Sequence, residues 1–188
     1  MSPPSRRFLA IVALMSFALL LASLVGLTRR ERERLDASIA RLRAHRGTPF
    51  PDILVRTDDG RTSRLVALGE GFDRLIVVFT RSGCPRCQAL LEDLESWKPV
   101  ADPTIAVAIV EVGTADVSDR RRSGDGSRWA PVFDTDGAFA TVLGGRVVPV
   151  MMVVDRDRTV RAVYIGEDES RNGLAWIDPP WATSRSGR

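Results

Sequence analysis

A chain of 188 residues has room for one domain of ordinary size and an appendage, and 44% hydrophobic with 27% charged residues is a globular balance. The formal net charge is only +3, almost all of the basic side is arginine, and it is spread along the chain; this argues against nucleic-acid binding and for a solvated surface. The two cysteines exclude a disulfide scaffold, because they stand together as Cys84-Pro85-Arg86-Cys87 and closing so short a loop restrains almost none of the unfolded chain.

Residues 1–7 form a short tail. From Phe8 to Leu27 the chain is uncharged and mostly apolar for 20 residues. As a helix rising about 1.5 Å per residue, that run spans roughly 30 Å, the hydrocarbon thickness of a bilayer. A cleavable signal peptide competes with this reading, but its apolar region would run about 7–15 residues to a small-x-small site. The nearest approach to such a site is Ala22-Ser23-Leu24. The pattern favours an uncleaved transmembrane anchor over 8–27, in which Ala18, Ala22 and Gly26 have a spacing that suits helix packing but also arises by chance.

Residues 28–47 read as a charged juxtamembrane linker helix, with Leu35, Ile39 and Leu42 at helical spacing among Arg and Glu. It would act as a spacer or as a short coiled-coil pairing; three apolar residues do not choose. Near the anchor two arginines precede it (Arg6, Arg7) and seven follow (Arg29, Arg30, Arg32, Arg34, Arg41, Arg43, Arg46). Taken literally, the positive-inside rule puts the domain in the cytoplasm. That rule weakens for long translocated domains, and a paired-cysteine domain has more to do where disulfides persist. The expectation is a single-pass protein of the bacterial cytoplasmic membrane with its catalytic domain on the extracytoplasmic, periplasmic side.

Gly47-Thr48-Pro49 marks the entry to a globular domain over 48–178. Strand candidates are Asp52–Thr57, ended by Asp58-Asp59-Gly60, and a short one around Leu65. Leu75–Thr80 is a continuous β-branched run, expected of a central strand buried on both faces. Residues 85–97 have helical composition, with Leu90, Leu91, Leu94 and Trp97 as core; Thr104–Val112 is a second apolar strand, completing a β-α-β unit. Residues 113–130, with Arg120-Arg121-Arg122, read as a loop. Val132–Asp134 predicts a short strand and Ala138–Leu143 a short helix. Val147 to Asp155 and Thr159–Ile165 form a hairpin about Arg156-Asp157-Arg158, and a last helix falls within 168–177. Residues 179–188 read as a flexible tail. The fold class is α/β, a mixed central sheet flanked by helices, behind a single transmembrane helix.

The cysteine pair sits where the first long strand feeds a helix. Two Cys at i and i+3 can bond across one helical turn. The helix dipole and free N–H groups stabilise a thiolate at Cys84. Pro85 suits the first turn, where no N–H is needed, and Arg86 adds positive charge. Both Pro85 and Arg86 thus tune the thiol, and a stabilised reduced form makes the disulfide more oxidising. Cys84 is the expected nucleophile and Cys87 the resolving thiol. Zinc would need four ligands, and the one other soft candidate, His45, lies in the linker. A copper carrier would want wider cysteine spacing and a downstream His. A peroxide-reducing site would carry Pro and Thr where Val77 and Arg81 stand. No metal or cofactor is expected.

Gly47-Thr48-Pro49-Phe50-Pro51-Asp52, the strand Leu75–Thr80, the C-x-x-C, and Val148-Pro149 before an apolar strand ending at Asp155 together resemble the membrane-anchored TlpA/ResA-type thiol–disulfide oxidoreductases, over about residues 47–166. The resemblance implies a thioredoxin-like fold in which Pro149 is cis and faces the disulfide. Pro149 and the backbone of Val148 would then hold a substrate's extended chain beside Cys84. The partners implied are protein thiol or disulfide substrates and a membrane or soluble redox partner, with no nucleic acid. Several positions depart from the family pattern. Gly83 stands where Trp is frequent, Leu90 where reductases of cytochrome apoproteins often carry Glu, and Val78 where many thioredoxins bury an acid; Glu111 is a substitute candidate for proton transfer to Cys87. Ser82-Gly83-Cys84-Pro85-Arg86-Cys87 followed by Leu90-Leu91 is closer to the MauD-like branch of methylamine utilisation. Two other functions stay open: a redox-inactive adaptor that holds clients on the Pro149 face, and a metal carrier.

Overall fold

The structure, a computed structural model, describes the backbone of residues 6–57, 59–97, 104–113 and 132–177, and the side chains between 14 and 174 within those ranges. The chain divides into two compact units, Met1–Ala37 and Ser38–Arg188. A helix, α1, runs over Arg6–Ala44. In the first unit its apolar side chains from Leu14 to Leu27 are exposed. Among the described residues no helix is long and apolar enough to cross a membrane. The side chains of 8–13, which open the apolar run, lie outside that set. The part that is described, 14–27, would span only about 21 Å as a helix.

In the second unit follow β1 (Leu54–Arg56), β2 (Thr62–Arg64), a 3-10 turn (Leu65–Gly69) and β3 (Arg74–Thr80). Then come α2 (Pro85–Ser96), β4 (Ile105–Val112), β5 (Val132–Asp134), α3 (Ala138–Thr141), β6 (Val150–Asp155), β7 (Val160–Ile165) and α4 (Glu167–Ile177). They form one sheet in the order β2-β1-β5-β4-β3-β6-β7. β3, β4 and β5 are parallel; β6 joins β3 antiparallel, β7 pairs antiparallel with β6, and β1 and β2 extend the other edge antiparallel. This is the mixed sheet expected.

Alternation divides the side chains of each strand between two apolar layers. Ile76 and Val78 of β3, with Met151 and Val153 of β6, pack under Leu90 and Leu94 of α2 and Leu174 of α4. Trp97 borders this layer as core, as predicted. Leu75, Val77 and Phe79 face the other way, against Leu42, Leu65, Phe139 and Leu143, and the Phe79 and Phe139 rings stack at 4.7 Å. β3 is thus covered on both faces, which is why its sequence is continuously apolar.

Three segments differ from expectation. Leu65 is not in a strand: β2 ends at Arg64, and the buried Leu65 opens the 3-10 turn beneath the sheet. β6 begins at Val150 rather than Val147, because Pro149 has no N–H for a ladder. The compact unit begins at Ser38, ten positions before Thr48, since Ser38 and Leu42 in the last turns of α1 are buried in it. The loop expected over 113–130 and the tail over 179–188 lie outside the described residues, apart from Gly113.

Candidate active site

The site starts from a turn. After β3, the Cys84 N–H donates to the carbonyl of Arg81 (3.2 Å), and Gly83 takes φ +72° at the third position. A positive φ there is the mark of a type II turn and favours glycine. The turn thus gives a reason for Gly83 in a position where the resembled family often has Trp. It delivers Cys84 to the N-cap of α2, with Pro85 in the first turn as predicted. Cys84 and Cys87 are disulfide-bonded with Cα atoms 5.3 Å apart. The backbone N–H of Cys87 donates to Cys84 Sγ at 3.2 Å. Cys84 is half-buried and Cys87 buried, the latter one turn before Leu90 on the face of α2 that packs on the sheet. The first cysteine is therefore partly open to solvent while the second is covered.

Arg86 is exposed in the first turn of α2. Val150 pairs with Phe79, so the cis Val148–Pro149 peptide adjoins Thr80 at the end of the sheet from which the cysteine loop departs. Pro149 is buried and its carbonyl accepts from the Gly166 N–H at 2.8 Å; Val148 is half-buried. The structure thus brings Cys84, Cys87, Pro85, Arg86, Val148 and Pro149 to one end of the molecule's sheet. Glu111 stands in register with Thr80 at the C-terminal end of β4, with its Oε1 buried. Among the described residues no group of three His, Cys, Asp or Glu side chains gathers as a metal site requires.

Two supporting residues were not singled out in the sequence. Ser38 Oγ donates to the Gly144 carbonyl (2.8 Å) and accepts from the Arg146 N–H (2.9 Å), so a buried hydroxyl of α1 ties down the loop that leads to Pro149. The buried carboxylate of Asp134 accepts the N–H groups of Ala138 (2.7 Å) and Phe139 (2.9 Å), fixing the start of α3. Nothing local signals the first, whose partners lie over 100 positions apart. An Asp followed by a turn hinted at the second.

Residues 46–163 match the AhpC/TSA family. Several solved structures are similar in fold. The thioredoxin domain of a thiol-disulfide oxidoreductase from Bacteroides vulgatus is 19% identical with TM-score 0.57, over 70% of this chain and 96% of that one. A putative thiol:disulfide interchange protein DsbE from Chlorobium tepidum is 18% identical with TM-score 0.56, over 70% and 95%. The exposed lipoprotein thioredoxin Etrx1 from Streptococcus pneumoniae is 20% identical with TM-score 0.54, over 67% and 99%. No curated protein sequence matches the chain.

Proposed function

The chain belongs to the AhpC/TSA family and is an oxidoreductase of thioredoxin-like fold, and we propose that it exchanges disulfides with extracytoplasmic protein clients through Cys84 and Cys87. The observation that carries this reading is the half-buried Cys84 at the N-cap of α2, disulfide-bonded to a covered partner one turn away. In the oxidised protein a client thiolate attacks Cys84 Sγ, the Cys84–Cys87 bond breaks, and Cys87 leaves and takes up a proton. A second client thiol then attacks the client sulfur of the mixed disulfide. Cys84 departs as a thiolate held by the helix N-terminus, with Arg86 adding positive charge nearby. Two electrons have passed from client dithiol to protein, and the reverse sequence reduces a client disulfide. Val148 and Pro149 supply the backbone edge along which the client's extended chain lies.

Within the family we read the protein as TlpA/ResA-type, nearest the MauD-like branch, anchored through 8–27. The exposed apolar side chains from Leu14 to Leu27 support the anchor, and the description of one structural relative as an exposed lipoprotein supports the extracytoplasmic side. Peroxide reduction is not part of this reading, because Val77 and Arg81 occupy the positions its Pro and Thr would need.

In Cys87→Ser the Cys84 thiolate attacks a client disulfide, one client sulfur leaves as a thiolate and no Cys87 is left to resolve the product, so clients accumulate in cells as mixed disulfides on Cys84 and are identified on non-reducing gels. Cys84→Ser abolishes both trapping and exchange with a scrambled disulfide substrate. Full exchange activity in Cys84→Ser would refute the assignment, and a cellular phenotype left intact by Cys84→Ser would favour an adaptor.

A further inference from the structure

Along the chain, the charges nearest the disulfide are of one sign. From Leu75 to Leu91 the only charged residues are Arg81 and Arg86, and from Gly137 to Val154 the only one is Arg146. These two segments carry the disulfide and Pro149; of the acids at the same end of the sheet, Glu111 has a buried Oε1, Glu167 pairs with Arg171 and Glu169 with Arg43, and Asp168 is exposed. Arg81 directly follows Thr80, Arg86 lies between the cysteines, and Arg146 stands three positions before Pro149, which adjoins Thr80. All three side chains are exposed. None of them forms an ion pair or a side-chain hydrogen bond among the described residues. Elsewhere on the same unit, guanidinium groups are matched by carboxylates, as in Arg43–Glu169, Arg64–Asp52, Arg156–Asp73 and Arg171–Glu167. Arg41, also exposed, lies against Gly144 in the loop that carries Arg146.

Resting on the thiol-exchange reading of Cys84, we infer that this cationic rim selects clients whose reacting cysteine is flanked by aspartate or glutamate. Complementary charge at a docking face acts first on the association rate, by about 10- to 1,000-fold for strongly steered pairs, and salt removes it. A client thiolate is itself an anion and gains from the same field. Positive charge beside the client cysteine is repelled by the rim.

The test uses the full-length oxidised protein in detergent and three single-cysteine peptides whose flanks are acidic, neutral or lysine-rich. Each rate constant is divided by that of the same peptide with hydroxyethyl disulfide, which cancels the peptide's own thiol reactivity. The acidic peptide should react about tenfold faster than the lysine peptide at low salt, and the ratio should fall towards one at about 0.5 M salt, where the Debye length is only a few ångström. Arg81→Glu with Arg146→Glu should reverse the order. Arg161→Gln, which removes a charge at the opposite end of the hairpin, should preserve it. The single Gln variants of Arg81 and Arg146, each lowering the ratio, carry the test if the double reversal does not fold. Equal normalised rates for all three peptides, or an order indifferent to both arginines, overturn the inference while exchange itself stands. Failure of every peptide and of dithiothreitol to reduce Cys84–Cys87 overturns the thiol-exchange reading and this inference with it.

Discussion

Gly83 holds the backbone conformation on which the position of Cys84 depends. With φ at +72° and open space around the missing Cβ, a side chain there meets backbone strain and no clash. Gly83→Ala should therefore cost about 1–2 kcal/mol, and urea unfolding of the oxidised protein measures it. Far from the disulfide, Asp59 accepts a hydrogen bond from the Thr57 hydroxyl and another from the Arg61 N–H, and these hold its carboxyl below the ordinary aspartate range. The folded value lies below the unfolded one. The stabilisation is therefore present at pH above the unfolded value and lost as pH falls through the folded one. Thr57→Val removes the larger cause, so the Asp59 titration should move up, as read by NMR of its carboxyl carbon.

At the scale of elements, the end of α1 behaves as part of the globular unit. The Ser38 hydroxyl satisfies a carbonyl and an N–H of the Gly144–Arg146 loop, and Leu42 two positions before Ala44 is wholly covered. Ser38→Ala strands two backbone groups. The expected loss is about 1–3 kcal/mol, accompanied by faster hydrogen exchange at the Arg146 amide than at the amides of β3. Stability loss without that local change would mean that the hydroxyl does not hold the loop. The neighbouring Gly145 has Phe139 packed where a Cβ would stand, so the same loop is seated from both sides.

For the whole molecule, the proposed anchor over 8–27 determines where the chain resides. An anchored chain should remain in the membrane fraction after alkaline carbonate extraction, and a version starting near Ala37 should be released. In intact cells, a membrane-impermeant thiol reagent should label Cys84 after mild reduction, provided the unit lies outside the cytoplasm. Release of the full chain by carbonate would remove the anchor from the proposal. Absence of labelling in cells, with labelling after lysis, would place the unit inside.

The sequence by itself determined the long elements and the reactive pair. Leu75–Thr80, Ile105–Val112 and residues 85–96 have patterns fixed by burial on two faces or one, and a C-x-x-C at a strand-to-helix junction has few other uses. Only the tertiary structure decided that α1 enters the domain at Ser38, that Asp134 caps α3, and that Arg81, Arg86 and Arg146, without partners among the described residues, gather at one end. The reason is physical. Periodicity and turn chemistry act between near neighbours, whereas the hydrogen bonds of Ser38 and the convergence of three arginines depend on strand order, which brings distant segments to the same edge of the sheet.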